Sequence, residues 1–318
     1  YIFGMKAYND MPFTPLKHTI AKYRWLYQLG LQGPDMFFYN IPILRHRDYR
    51  NVGSYMHEHK VSAFFECCLR RIGTIRSRQQ QEEAISYLAG FMNHYIADSI
   101  CHPYVYGRIG YPVDAPTSMH HGMHAHLENE LDAILLWKYK KKKPSEFNQT
   151  ATICLNGQEI QFISHFLASC INETYYPITY RNNFQVTPAM VHRSIWALRF
   201  GCRTLSDKTG KKKFGIAQVE SIFVNHPVAS AKMVTDSVTD YRSSCNLNPE
   251  AWGNPWDPTR VSTASFVDLF HETLDKCSRV YELLNSAVTD NVPLDKQDLS
   301  PLLTELGNES YHSGLPVD

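Results

Sequence analysis

One long apolar segment constrains the fold of this chain more than any other feature. Residues 80–101 carry acidic side chains in their first turn and apolar side chains at every third or fourth position after it. This period predicts a buried α-helix, which Pro103 is expected to end because proline has no backbone N–H. His94, Asp98 and His102 recur four residues apart, so at about 100° per residue they share one helix face.

Most of the remaining chain has the same helical period, and alternating apolar and polar runs are short. The pattern therefore predicts an all-α protein, a multi-helix bundle with a C-terminal helical extension. We expect residues 1–145 to contain the chemistry and residues 146–318 to form the extension within the same compact domain. Further helices are predicted at 61–72, 118–143, 158–173, 187–206 and 262–288, with loops or linkers at 103–116, 144–157, 207–215 and 246–261.

Composition excludes several classes of protein. The 318 residues include 32 Lys plus Arg and 31 Asp plus Glu, and 43% are apolar, which excludes whole-chain disorder and a strongly basic nucleic-acid binder. Charged residues interrupt every helical pattern, so no transmembrane segment is predicted. No signal peptide is visible, and the chain begins at Tyr1 without Met, so we expect a truncated N-terminus. The eight cysteines lack a CxxC pair, which favours reduced, mostly buried thiols and a cytoplasmic setting.

A second predicted helix carries further metal-ligand types. His124 and Glu128 lie four residues apart, but His126 and Glu130 have the same spacing, so the register stays open. Imidazole and carboxylate groups on two facing helices are donors that zinc accepts, and helical bundles build metal sites from such pairs. A histidine on an apolar face is often only a hydrogen-bonded core residue. Three ligand types on one apolar stripe favour a metal, because unpaired buried charges are costly.

Weaker candidates lie upstream of these helices. Asp35 follows Gly33-Pro34, and an acidic residue after proline is common in turns. The aromatic run that follows, Phe37-Phe38-Tyr39, is better explained as part of the hydrophobic core than as an apolar wall that contacts a lipid or a base. The polar segment around His57 and His59 is compatible with simple solvent exposure.

The C-terminal half has few functional signals. Its scattered histidines are expected to be structural or surface residues: His165, His192, His226, His271 and His312. Trp252 and Trp256 lie in a segment rich in Pro and Asn and are candidates to cover the mouth of a site.

Taken in order, the motifs form a recognisable set. They are Leu29-Gly30-Leu31-Gln32-Gly33-Pro34-Asp35, then His57-Glu58, then Gly90-Phe91-Met92-Asn93-His94-Tyr95-Ile96-Ala97-Asp98 with His102-Pro103, and finally His124-x3-Glu128-x-Glu130-x-Asp132. Over roughly residues 1–135 this set resembles the bacterial zinc-dependent phospholipase C family. The resemblance implies an all-helical fold and a zinc cluster that cleaves the phosphodiester of phospholipid head groups. Single-strand-specific nucleases of the same fold use a similar cluster.

The resemblance also implies roles for individual residues. It makes Asp35, His57, His94 and Asp98 the ligands of one zinc, and His102, His124 and Glu128 the ligands of a second. Asp35 is implied to be the general base as well.

A third zinc in the family uses a histidine just before a Tyr-x-Phe-Gly segment. Here that segment is Tyr1-Ile2-Phe3-Gly4, so the match stops one residue short. We therefore expect two zinc ions and assign no third site.

The leading hypothesis is a zinc-dependent phosphodiester hydrolase that acts on a phospholipid head group or a related ester, with transient contact to a membrane surface. One alternative is a non-catalytic helical metalloprotein or binding protein with structural zinc. Another is a nuclease of the same fold, which the near-neutral charge disfavours because single-strand binders need a basic groove. The sequence gives no indication of oligomeric state.

Overall fold

A computed structural model describes residues 1–39, 51–205, 207, 211–223, 230, 233, 236, 238 and 240–318. These residues form an all-α fold, as predicted. Its α-helices are α1 (Ile2–Asp10), α2 (Pro15–Lys22), α3 (Arg24–Gly30), α4 (Val52–Glu58), α5 (Val61–Thr74), α6 (Arg78–Arg108), α7 (Ser118–Lys140), α8 (Gly157–Tyr175), α9 (Pro188–Leu205), α10 (Lys211–Phe223), α11 (Tyr241–Ser244), α12 (Phe266–Thr289) and α13 (Ser300–Leu306). Short 3-10 helices span Gly33–Tyr39, Pro144–Glu146, Gln149–Thr152 and Leu294–Lys296, and β1 (Trp252–Asn254) pairs antiparallel with β2 (Asp257–Ser262).

Helix α6 is the central element, and it packs most closely against α3. A Cβ atom on Gly30 would lie 2.1 Å from the Tyr87 carbonyl oxygen, and one on Gly90 would lie 2.1 Å from the Tyr27 carbonyl oxygen. The two backbones therefore touch where the helices cross. The Tyr281 hydroxyl of α12 donates to a carbonyl on the same stretch of α6. This packing fixes the position of the helix that carries His94, Asp98 and His102, which we call the polar stripe.

Apolar side chains from both halves of the chain surround α6. The larger core cluster includes Leu16, Phe65, Phe91, Leu167, Cys277 and Leu284, all fully or almost fully buried. A smaller cluster around the end of α6 includes Tyr104, Val105, Leu135, Cys245 and Phe270. The apolar faces of the predicted helices therefore point inward, as their period requires.

The prediction that Pro103 ends the central helix is wrong, because α6 continues to Arg108. Proline leaves the Ser99 carbonyl without its helical donor. Tertiary contacts beyond the proline hold the last turn in place: Tyr104 is fully buried and its hydroxyl donates to the Ser244 carbonyl over 2.6 Å. Packing of the final turn therefore outweighs the local cost of the proline.

The other predicted helices are confirmed, with ends moved by a few residues. The predicted linker at 207–215 is wrong for its last five residues, which begin α10, and residues 208–210 lie outside the described part of the chain. The predicted loop at 246–261 contains the hairpin of β1 and β2. In this hairpin, Trp252 pairs with Ser262 and Gly253 pairs with Val261. The strands are too short to show a clear alternation of apolar and polar side chains in the sequence.

Two further expectations concern the whole chain. None of the helices within the described ranges combines the length and apolarity needed to cross a lipid bilayer. All eight cysteines are free thiols, as predicted.

Candidate metal centre

The polar stripe of α6 lies along one face of the helix, as its spacing predicted. The Nε2 atom of His94 is 3.2 Å from Oδ2 of Asp98, and Nδ1 of His102 is 3.6 Å from the same oxygen. All three side chains are at least four-fifths buried. Asp98 therefore joins two imidazoles on successive turns.

Asp35, His57 and His94 form the first group of candidate ligands. One ligand atom from each lies within 4.8 Å of the others. Oδ1 of Asp35 is 3.1 Å from Nε2 of His57 and 4.0 Å from Nε2 of His94. The three residues come from three different elements, the 3-10 helix Gly33–Tyr39, α4 and α6. Only the tertiary fold brings them together.

A glycine makes this convergence possible. Gly33 has φ +49°, a left-handed conformation that side chains disfavour. A Cβ atom at this position would lie 2.0 Å from Cδ2 of His94. The turn before Asp35 therefore rests directly on the His94 ring. In α4, Nδ1 of His57 bonds to the Gly53 carbonyl oxygen over 2.7 Å, so Nε2 is the nitrogen directed at Asp35.

His102, His124 and Glu128 form the second group, again with ligand atoms within 4.8 Å of one another. Oε1 of Glu128 lies 2.9 Å from Nε2 of His102 and 3.1 Å from Nε2 of His124. This group uses two helices, α6 and α7.

The alternative register on α7 lies elsewhere. Nε2 of His126 is 3.6 Å from Oε1 of Glu130, and the Ser244 hydroxyl donates to the other oxygen of that carboxylate. The structure thus places the pair His124 and Glu128, and not His126 and Glu130, beside His102.

Charges in the stripe stabilise one another. Burial alone would raise the pKa of Asp98, but the imidazoles of His94 and His102 lower it below its ordinary value. Burial opposes protonation of His102, yet Asp98 and Glu128 raise the pKa of His102 to about 10. Asp98 and Asp35 likewise raise the pKa of His94 against the effect of burial. Without another cation, the carboxylates attract protons to these histidines.

The residues present fit a bound metal ion. Nε2 of His94 and Oδ2 of Asp98 are buried and make no hydrogen bond with the described residues. These two atoms face each other across 3.2 Å without the geometry of a hydrogen bond. Buried polar atoms without partners are costly, and a cation that shares such nitrogen and oxygen atoms would satisfy them. Imidazole and carboxylate donors are those that zinc takes.

Comparison with protein families gives a specific result. Residues 2–179 match the family described as zinc dependent phospholipase C, and this segment is more than half of the chain. It contains both groups of candidate ligands. The chain belongs to the zinc-dependent phospholipase C family. No curated protein and no solved structure matches it significantly.

A C-terminal turn outside the segment that matches the zinc-dependent phospholipase C family reaches both groups. The Tyr311 N–H donates to the His57 carbonyl over 2.9 Å, and Nδ1 of His102 bonds to the Tyr311 carbonyl oxygen over 2.8 Å. The His312 ring lies 4.9 Å from that of His57, nearly parallel at 14°. Burial, together with the neighbouring His57 and His102, lowers the pKa of His312 well below its ordinary value.

His312, which was expected to be a structural or surface residue, thus lies next to residues of both ligand groups. The hydrogen bond of its ring joins it to Tyr106, 206 residues away, and no spacing rule detects such a contact. Of the other C-terminal histidines, His165, His192 and His271 are exposed, as predicted, and His226 lies outside the described residues.

Aromatic side chains line one side of the second group. The Tyr106 ring is 4.5 Å from that of His124, and Tyr111 and Trp256 lie 4.7 Å and 4.9 Å from Tyr106. Trp256 packs against Tyr106 and Tyr111, and that it covers the mouth of a site stays a prediction. Trp252 instead packs against the smaller core cluster. We call Tyr106, Tyr111 and Trp256 the aromatic rim.

The aromatic run after Asp35 divides between two environments. Phe37 is fully buried in the larger core cluster, as predicted. Phe38 is half-buried, with its ring 5.4 Å from that of His57, and Tyr39 packs against α9 at Gly201. Phe37 of this run is thus part of the hydrophobic core, and Phe38 contacts the first group.

Proposed function

We propose that this protein is a zinc-dependent phosphodiester hydrolase with a phospholipase C-like reaction on a phospholipid head group or a related ester. One observation carries the proposal: the two groups meet at Asp98, and each also includes a carboxylate that is 41% exposed, Asp35 in the first group and Glu128 in the second. Two adjoining donor sets that open to solvent suit a reaction centre.

This openness argues against a purely structural role for the metal. Structural zinc sites are closed by four protein ligands, whereas catalytic sites keep a position for water or substrate. In both groups the histidine side chains are at most 16% exposed, whereas the carboxylate is 41% exposed. A phosphodiester can therefore approach from the carboxylate side while the imidazoles remain fixed behind it.

Each group is assigned a metal. Asp35, His57, His94 and Asp98 would hold one zinc ion, and His102, His124 and Glu128 would hold the other. When bound, zinc lowers the pKa of water and stabilises negative charge on phosphate oxygens. The hydrogen bonds from His57 to Gly53 and from His102 to Tyr311 orient the two rings, as backbone acceptors do for metal-binding histidines.

The reaction needs a base, and Asp35 is placed to supply it. A water oxygen bonds to phosphorus, its proton passes to the Asp35 carboxylate, and the ester bond between phosphorus and the leaving oxygen breaks. The leaving oxygen then takes up a proton. Asp35 can reach water because its side chain is 41% exposed, while the Nε2 of His57 at 3.1 Å fixes one of its oxygens. General base catalysis of this kind contributes about 10²- to 10⁴-fold.

The test is hydrolysis of a chromogenic phosphodiester by the wild type and by Asp35→Asn. We expect the variant to retain zinc, measured by elemental mass spectrometry, and to lose about 10²- to 10⁴-fold in kcat/KM. Asp275→Asn is the matched control, because Asp275 is exposed on α12, and it should leave the rate unchanged.

Three results would count against the proposal. They are a wild type that binds no zinc, a zinc-loaded wild type without activity, and an Asp35→Asn variant as active as the wild type. Preferential cleavage of single-stranded DNA over phospholipid vesicles would assign the same centre to a nuclease.

A further inference from the structure

The turn formed by residues 310–314 connects the two ligand groups through its backbone. Tyr311 is 1% exposed, and its N–H and C=O bond to one histidine of each group, His57 and His102. A single peptide segment therefore spans the distance between the groups. The next side chain along the chain, His312, is placed by the same backbone.

The turn is held in one conformation. The Ser310 hydroxyl accepts hydrogen bonds from the N–H groups of His312 and Ser313, and Asn254 of β1 donates to the Ser313 carbonyl over 2.7 Å. Gly314 has φ +60°, and a Cβ atom there would lie 2.5 Å from the Ser99 carbonyl oxygen of α6. The turn is therefore seated directly on the helix that carries Asp98, with little freedom for His312 to move.

The His312 ring lies between the two groups. Its centroid is 4.9 Å from the His57 ring, in the first group, and 5.8 Å from the His102 ring, in the second. Neither group of converging ligand atoms includes a His312 nitrogen. His312 thus lies beside both groups without joining either set of ligands.

A hydrogen bond determines which nitrogen of His312 is available. Nδ1 lies 3.1 Å from the hydroxyl of Tyr106 in the aromatic rim. Among the described residues, this nitrogen is the one acceptor found for the Tyr106 hydroxyl, and a phenol keeps its proton at neutral pH. If Tyr106 donates to Nδ1, the imidazole proton lies on Nε2. That nitrogen is then a hydrogen-bond donor.

We propose that His312 is a substrate-binding residue whose Nε2–H donates to an oxygen of the phosphoryl group bound between the two ligand groups. The inference rests on the proposed function and adds a hydrogen-bond donor from the C-terminal turn to it. Hydrogen bonds to charged acceptors are stronger than those between neutral groups. Loss of such a bond should therefore weaken phosphate binding about 10- to 100-fold.

Inorganic phosphate is the probe, and isothermal titration calorimetry of the zinc-loaded protein is the measurement. We expect His312→Ala to keep its zinc and to bind phosphate about 10- to 100-fold more weakly than the wild type. His312→Gln keeps an N–H donor and should recover part of the affinity. Tyr106→Phe removes the partner of Nδ1 and should cause a smaller loss. His165→Ala is the matched control, because His165 is exposed on α8.

Each result has a distinct meaning. Equal phosphate affinity in the wild type and His312→Ala overturns the inference, and so does zinc lost from folded His312→Ala, which would make His312 a ligand. If thermal unfolding shows that His312→Ala is unfolded, the comparison of His312→Gln with Tyr106→Phe decides, and unchanged affinity in both overturns it. A wild type without zinc contradicts the proposed function itself, whereas a zinc-loaded wild type that does not bind phosphate contradicts the inference.

Discussion

The two ligand groups differ in how the fold assembles them. In the first group, His57 and His94 are 1% and 9% exposed, and the residues come from three separate elements. In the second, His102 and His124 are 12% and 16% exposed and lie on two helices. The first group is thus built by tertiary packing, and the second largely by helical spacing.

This difference has consequences for stability and for metal binding. A buried histidine that contacts several elements contributes to packing as well as to the metal site, so its removal leaves a cavity. A histidine near the surface of one helix contributes mainly to the metal site. Asp98 lies between the groups, so the two sites share one charge while depending on different parts of the fold.

The largest expected effect is a loss of bound zinc, which separates the groups directly. We expect His57→Ala and His124→Ala each to lose about one of two zinc equivalents, since each removes a ligand from one group. His57→Ala should also lower the stability of the metal-free protein by about 2 kcal/mol or more, because its side chain is fully buried. His124→Ala should change that stability by less.

Elemental mass spectrometry and urea unfolding of the metal-free proteins provide the two measurements. Equal destabilisation by the two variants would remove the distinction drawn between the groups. Full zinc content in either variant would exclude that histidine as a ligand.

The next effect concerns the turn beneath the first group. Gly33→Ala adds a Cβ atom that would meet the His94 ring at 2.0 Å, in a left-handed conformation. Backbone strain and the clash together should cost about 3 kcal/mol. Gly110→Ala is the matched control, with φ +62° and no atom within 4 Å of the added Cβ, so it should cost about 1 kcal/mol. Similar unfolding free energies would show that close contact between Gly33 and His94 is unimportant.

The stability of the metal-free protein should depend on pH because of His102 in the second group. The pKa of His102 is raised from 6.5 to about 10 by Asp98 and Glu128, which outweigh burial. The stability that this pairing adds is complete below about pH 6.5 and is lost as the pH rises towards 10.

We expect the unfolding free energy of the metal-free protein to fall by on the order of 2 kcal/mol across this range, because several imidazoles share the same carboxylates. His102→Gln should flatten the profile. Zinc binding should show the opposite trend and strengthen with pH, since ligands must lose their protons. A metal-free wild type whose stability is constant from pH 6.5 to 10 would contradict the electrostatic account.

The smallest expected effect concerns the alternative register on α7. The His126 side chain is 50% exposed, and its distance to Glu130 is 3.6 Å. Glu130 is buried and keeps the hydrogen bond from the Ser244 hydroxyl. Because a half-exposed partner at this distance contributes about 0–1 kcal/mol, His126→Ala should leave zinc content unchanged and stability nearly so. Loss of zinc from His126→Ala, with zinc retained in His124→Ala, would reverse the assignment.

The same contrast explains how much the sequence could predict. The α6 stripe was predictable because residues four apart must share a helix face. The choice between His124 and His126 was not, since both have that spacing and only the packing of α7 on α6 separates them. Asp35 and His57 depended on the family resemblance. In the sequence, Asp35 cannot be distinguished from an ordinary acidic residue in a turn, and its contact with His57 depends on the tertiary fold.

Contacts between residues far apart in sequence account for the features that the sequence did not predict. Tyr311 and His312 reach the site through contacts with residues more than 200 positions away, which leave no local pattern. Pro103 was misread because the rule that proline ends a helix considers only local hydrogen bonds, whereas the burial of Tyr104 decides the outcome.

Anomalous scattering at the zinc absorption edge from crystals of the zinc-loaded protein tests the central claim most directly. We predict two peaks, one enclosed by Asp35, His57 and His94 with Asp98, and the other by His102, His124 and Glu128. The absence of peaks at these residues, or zinc bound only at other positions, would contradict the two-group metal centre.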